Sequence, residues 1–220
     1  MRTEAEVAHG SAGAPHLAHH FANLDTQSHA ARLGMWLFLA TEVLLFGGLF
    51  VAYAVYRFMF SETFVEASKL IETKYGAINT VVLITSSLTV ALAHHAVEHR
   101  KARTAVWLLL SSVAAGFVFL AIKYIEYSHH IHDGHLPGRY YSYPDLQAHG
   151  APMFWSLYFL MTGLHGLHVV IGMAVLAFLA FFCWRGTYDD GYATPVELGG
   201  LYWHLVDLIW IFLFPLLYLI

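Results

Sequence analysis

Glu42 interrupts the otherwise almost wholly apolar run Leu33–Phe58, LGMWLFLATEVLLFGGLFVAYAVYRF. A carboxyl at bilayer depth costs roughly 2.5–3.5 kcal/mol on insertion scales, so it persists where it is protonated, paired, turned toward protein or water, or used. Two readings stand open. Glu42 is a protonatable group or an anchor for water or a lipid headgroup, or it is a buried neutral acid hydrogen-bonded to a neighbour. Thr41 precedes it and Phe46, Gly47 and Gly48 follow, which leaves one side of its helix smooth enough for close approach by another.

Histidine is the other residue type with chemical potential, at sixteen copies. His165 and His168 in TGLHGLHVVIG are three apart and share a helix face with Thr162 and Gly172. Two such imidazoles could bind a metal. A b-type haem, however, takes its axial histidines from opposite faces of the ring, and a closed metal site needs more ligands. Hydrogen bonding to partner helices is the favoured reading, with Gly163, Gly166 and Gly172 allowing close contact. His204 and Asp207 lie one turn apart in YWHLVDLIWIFLF, beside Trp203 and Trp210. An aspartate can orient an imidazole and raise its basicity, so the two form either a proton-handling pair or an ion pair at the start of a span. Lys123 and Glu126 are expected to pair while Lys123 snorkels outward. HHIHDGH, His129–His135, is dense in ligand atoms, but in a loop beside an interface it reads as solvated polarity ahead of a surface metal site. Asn79, Ser86, Ser87 and Thr89 are the hydrogen-bonding groups expected between helices.

Other chemistries are disfavoured. Cys183 is the only cysteine, which excludes an intramolecular disulfide and, within this chain, any cysteine-based zinc or iron–sulfur centre. No Ser/His/Asp nucleophile arrangement, phosphate loop or dinucleotide glycine pattern occurs in a supporting context. A net charge of −4 without a basic block gives no sign of nucleic-acid binding.

The elements that must position these residues are membrane helices. The chain is 58% hydrophobic and only 12% charged, outside the usual range of a soluble domain of 220 residues. Five apolar runs are each long enough to cross a bilayer: residues 33–58, 77–98, 105–127, 153–184 and 201–220. The expected fold is all-α, a polytopic bundle of five transmembrane helices over residues 33–220, preceded by a soluble or interfacial segment over residues 1–32. That segment carries His9, His16, His19, His20 and His29 and lacks a secretory pattern. Residues 20–31 could form a short interfacial helix capped by Asp25 or Thr26. Arg100, Lys101 and Arg103 crowd the turn between the second and third spans, with Arg2, Arg32 and Arg185 on the same side by alternation. By the positive-inside rule the N-terminus is cytoplasmic and the C-terminus periplasmic.

Five motifs, taken in order, resemble one family. GMWLFLATEVLLFGGLF, NTVVLITSSLTVALAHHA, IKYIEY, FLMTGLHGLHVVIG and ELGGLYWHLVDLIWIFLFPLLY together resemble subunit III of the haem–copper oxidases, cytochrome c oxidase subunit III, over essentially everything after the first thirty residues. The resemblance implies a non-catalytic accessory subunit of a proton-pumping terminal oxidase in a bacterial cytoplasmic membrane. Such a subunit binds no haem or copper itself, packs on subunit I, supports proton uptake into it and protects it during turnover. Bound phospholipid is the one small molecule it implies for this chain. Glu42 resembles the family's buried helix carboxylate; Glu126, His165, His168, Glu197, His204 and Asp207 fall on motif positions, whereas Lys123 stands where many relatives carry a neutral amide. Trp36, Glu126, Glu197, Trp203 and Trp210 are the structural or lipid-contact candidates, and Glu42, His165, His168, His204 and Asp207 the candidates for supporting proton uptake. Many members have seven spans, and this chain resembles the five-span form lacking the first two. Alternatives within the family are the subunit III equivalent of a quinol oxidase and a nitric-oxide-reductase accessory protein. An alternative of another class is a membrane haem or di-iron enzyme ligated by its own histidines.

Overall fold

A computed structural model of the chain describes residues 16–146, 148, 150–188 and 192–220. Five helices in it are long and apolar enough to cross a membrane: α1 (Leu24–Met59), α3 (Thr73–Glu98), α4 (Ala102–His132), α5 (Ala151–Trp184) and α6 (Thr194–Tyr218). A short amphipathic helix, α2 (Ser61–Lys69), follows α1, and a turn of 3₁₀ helix, Gly138–Tyr140, lies between α4 and α5. Most spans outrun the expected apolar windows. α1 begins nine residues before Leu33 and α6 seven before Leu201, because a helix once nucleated keeps its backbone bonds through the polar interface, where ending it would gain nothing.

The chain divides into two compact units, Met1–Thr41 and Glu42–Ile220. His9 and the other residues before His16 lie outside the described part. In the first unit the start of α1 is fixed by Asn23, not by Asp25 or Thr26: its side-chain oxygen accepts the Thr26 amide and the Thr26 hydroxyl, both at 2.8 Å. Asp25 sits in the first turn, where it suits the positive end of the helix dipole. Gln27 clamps the lead-in to that turn, donating to the His16 carbonyl and accepting from the Ala18 amide. Residues 24–31 thus begin the span itself instead of forming a separate interfacial helix. Trp36 is 62% exposed.

In the second unit α3, α4, α5 and α6 form the bundle, α3 packing on α4 and α6, and α5 on the same two. Close approach depends on glycine at a few places. A Cβ on Gly172 would lie 2.7 Å from the Trp203 ring, one on Gly116 would lie 2.7 Å from Met173, and one on Gly199 would lie 2.5 Å from Leu179. Gly163 and Gly166 are looser than their sequence implied, with nothing nearer than 3.7 Å and 3.9 Å, and Gly47 and Gly48 face open space. α1 accordingly touches the bundle through long side chains. Tyr53 donates to the Leu216 carbonyl at 2.6 Å, and its ring meets Phe64 of α2, which meets Phe154 of α5. Ser68 of α2 donates to the Ile220 carbonyl, so α2 ties the end of α1 to the end of α6.

Candidate functional site

Glu42 has a partner. His168 Nε2 lies 2.8 Å from Glu42 Oε2, and His168 Nδ1 lies 2.8 Å from the Leu164 carbonyl. A carbonyl only accepts, so Nδ1 carries a hydrogen. Nε2 then either accepts a proton held by Glu42 or shares an ion pair with its carboxylate. In both forms the pair holds one proton between the two groups and is neutral overall. Phe46 closes one side with its ring 5.2 Å from the imidazole. Both side chains stay slightly open, 16% for Glu42 and 10% for His168.

His165 does not join them. Its ring is fully buried, between Phe119 at 5.4 Å and Trp210 at 5.3 Å, and neither nitrogen has a hydrogen-bond partner among the described residues. The hydrogen bonding expected of the two histidines holds for His168 alone. Three residues on a helix turn the direction by about 60°, enough to send one ring toward α1 and the other into the bundle.

His204 and Asp207 also part company. His204 Nδ1 meets the Ser87 hydroxyl at 2.6 Å, while Asp207, 3% exposed, makes no aligned hydrogen bond through either oxygen among the described residues. The expected pair is therefore replaced by a bond from α6 to α3. α3 supplies further polar links of this kind. Ser86 accepts from the Trp203 indole at 3.0 Å, Thr80 accepts from the Trp210 indole at 3.0 Å, and Thr89 meets Ser112 of α4 at 2.6 Å. Asn79, expected among these groups, is wholly buried with both side-chain polar atoms unpartnered among the described residues. Glu197 stands in the first turn of α6, again at the positive end of a helix dipole.

The most complete polar cluster lies where α4, α5 and α6 meet. Lys123 Nζ donates to the Tyr158 hydroxyl at 3.0 Å and the Tyr218 hydroxyl at 2.9 Å, and stands 3.1 Å from Glu126 Oε2, off hydrogen-bond alignment. Both phenols then donate to Glu126 Oε1, at 2.5 Å and 2.6 Å. Lys123 is 6% exposed and Glu126 2%, so the lysine does not snorkel outward. It has two phenol acceptors and a carboxylate counter-charge beside it. The rings of Tyr127, Tyr158, Trp210 and Tyr218 lie 4.9–5.7 Å from the ammonium, placing it against their negative faces. The ion pair is legible from its spacing; the two tyrosines, on other helices, carry no such local signal. Depth would have found them: alternation puts the end of α4, the start of α5 and the end of α6 at one side of the membrane.

Part of the histidine-rich stretch is interior. His130 and His135 are 5% and 2% exposed, and His135 stacks on Trp155 with centroids 4.2 Å apart. The solvated reading holds for His129 and His132, which are exposed. Burial lowers the pKa of His135, which lies outside the spans, with Asp133 acting in the opposite sense. The unfolded chain, with histidine near 6.5, then takes up a proton that the folded one refuses. The contribution of His135 to stability is complete above about pH 6.5, declines below it and is lost as the pH falls through the lowered folded-state pKa. Thermal unfolding in detergent at pH 7.5 and 5.5 should show a shallower acid-side loss for His135→Phe than for the wild type. An unchanged slope would mean that this imidazole titrates alike in both states. At the opposite end of the bundle, ligand atoms of His95, Glu98 and His99 fall within 4.8 Å of one another on an exposed helix end.

The fold and its polar clusters define a class: a bundle of membrane-length helices that encloses ionisable side chains, among them Lys123, Glu126, His165 and Asp207. A model of the family described as cytochrome c oxidase subunit III matches residues 16–220, and the chain belongs to that family. It is 34% identical over 194 residues to cytochrome c oxidase subunit 3 of Thermostichus vulcanus, covering 86% of each chain. It is 30% identical to quinol oxidase subunit 3 of Bacillus spizizenii, over 96% of this chain and 95% of that one. Residues matching 86% of this chain also occur, at 29% identity, within 22% of a haem–copper oxidase subunit I+III of Aeropyrum pernix.

Proposed function

We propose that this chain is a non-catalytic accessory subunit of a proton-pumping haem–copper terminal oxidase, packing on subunit I and supporting its proton uptake and stability. What supports a non-catalytic role is how the histidines are used. His168 is committed to Glu42 and Leu164, His204 to Ser87, and His165 to an aromatic sandwich, so the three do not converge on one point. The fused subunit I+III protein of Aeropyrum pernix supports contact with subunit I, and the sparsely packed apolar face of α1, with Leu44 75% exposed, offers surface for it. Haem and copper then belong to partner subunits. The electron donor is set there too, and relatives carry both the cytochrome c and the quinol oxidase names.

The Glu42–His168 pair is the group best suited to proton support. Because the pair is neutral in either arrangement, its proton can shift across 2.8 Å without placing net charge in the membrane. The crowding of Arg100, Lys101 and Arg103 in one turn supports a cytoplasmic N-terminus and a periplasmic C-terminus, in a bacterial cytoplasmic membrane.

Deleting the chain tests this reading. The oxidase isolated without it should keep its haem and copper spectra, while proton-limited turnover slows or active life shortens. Loss of haem signals would instead place a cofactor on this chain. In the same preparation Glu42→Gln should assemble normally, since a glutamine amide can still donate to His168 Nε2; failure to assemble would make the carboxyl structural.

A further inference from the structure

Among the described residues, one trio of histidine, cysteine or acidic side chains has its ligand atoms all within 4.8 Å of one another: His95, Glu98 and His99, in the last turn of α3. Spacing assembles it. Residues three and four apart share a helix face, and Ala93, Ala96 and Val97 are buried on the other side of the helix, so the three polar side chains are exposed together. The backbone beneath them is fixed. The His99 amide returns to the His95 carbonyl at 3.2 Å and the Lys101 amide to the Ala96 carbonyl at 2.8 Å, with Arg100 left-handed at φ 58° to close the turn.

A hydrogen bond sets the chemistry of one ring. His99 Nδ1 lies 2.9 Å from the His95 carbonyl, and a carbonyl only accepts, so Nδ1 holds the hydrogen. In the neutral ring Nε2 then holds the lone pair that a metal takes, and such a bond on the second nitrogen is how metal-binding histidines are oriented. The His95 ring is beside it, centroid to centroid 4.1 Å. Glu98 adds negative charge, with His94 Nε2 3.7 Å from its Oε1 as a neighbour that orients it. The end of α3 also presents the negative end of a helix dipole, which favours a cation in the last turn. Arg100 and Lys101 act against one, and Lys101 lines the same hollow as His95 and His99.

We infer that His95, Glu98 and His99 bind a divalent transition-metal ion, zinc foremost, with water in the remaining position. Two imidazoles and one carboxylate suit Zn²⁺ and leave one tetrahedral position open, whereas Mg²⁺ and Ca²⁺ ask for oxygen ligands throughout. A bound ion ties side chains of successive turns together and holds the end of α3 against fraying. The site uses neither Glu42 nor His168 and does not depend on the oxidase reading.

The test uses the full chain in mild detergent, freed of metal by chelation and titrated with zinc chloride or magnesium chloride. Calorimetry gives the affinities and native mass spectrometry counts bound ions. Because the chain has sixteen histidines, the readout is the difference between wild type and variant. Even outer-shell partners of a bound metal are worth about 10–100-fold in affinity, so Glu98→Gln should weaken zinc binding at this site at least about tenfold. His95→Gln/His99→Gln should lose the site and bind one zinc ion fewer. Lys101→Gln should bind zinc about threefold more tightly, its ammonium being gone. The three ligand side chains are exposed, so the metal-free melting temperature should not move in these variants. Three results would each overturn the inference: zinc count and affinity unchanged in His95→Gln/His99→Gln, magnesium bound as tightly as zinc, or all zinc binding lost in His129→Gln/His132→Gln, which would put the site at the other end of the bundle.

Discussion

Glu126→Leu is expected to destabilise the bundle by about 3–5 kcal/mol, the cost of leaving a buried charge without its partner. Lys123 would keep its two phenol acceptors, but the phenols would lose the carboxylate oxygen to which both donate and the ammonium would lose its one counter-charge among the described residues. The double variant Lys123→Met/Glu126→Leu removes both charges, leaves the two phenols to bond one another or the backbone, and should recover most of that loss. Unfolding of the purified subunit, followed by near-ultraviolet circular dichroism in detergent, measures the cycle. Additive effects of the two single changes would mean that Lys123 and Glu126 are not coupled. The cluster joins three helices through four side chains, so the loss should appear as loosening of α4, α5 and α6 together and not as fraying of one end.

The second large effect is steric. Gly172→Ala puts a methyl group 2.7 Å from Cε3 and 2.9 Å from Cζ3 of Trp203, with Tyr202 at 3.4 Å behind. Trp203 cannot step aside freely, because its indole donates to Ser86 at 3.0 Å and its ring is wholly buried. Overpacking of this kind costs about 1–3 kcal/mol and should separate α5 from α6, weakening the hold of α5 on His168 as well. The control is in the same helix. Gly166→Ala meets only Leu120 at 3.9 Å and should be stabilising by up to about 1 kcal/mol, because alanine is the better helix former. Thermal unfolding of both variants decides it; equal shifts would mean that the contact with Trp203 is not what Gly172 is needed for.

These two cases show what a sequence of this kind carries. The five spans, their order and the approximate depth of each polar residue are determined by the amino-acid sequence alone, because bilayer thickness fixes how long an apolar run must be and that length is a local property. The motifs around Glu42, His165 and His204 carried the family as well. Partnership was decided only by tertiary structure. Lys123 and Glu126 were paired correctly because both lie on one helix, where spacing settles proximity. His204 and Asp207 have the same kind of spacing, yet His204 is captured by Ser87 from another helix. A helix that is apolar nearly all round gives little sign of which side faces its neighbours, so its rotation about its own axis is set by packing, by contacts such as Trp203 against Gly172. That rotation turns His168 to Glu42, sends His165 into the aromatic interior and encloses Lys123 among tyrosines. Depth is written along the chain, whereas direction around each helix exists only once the helices have met.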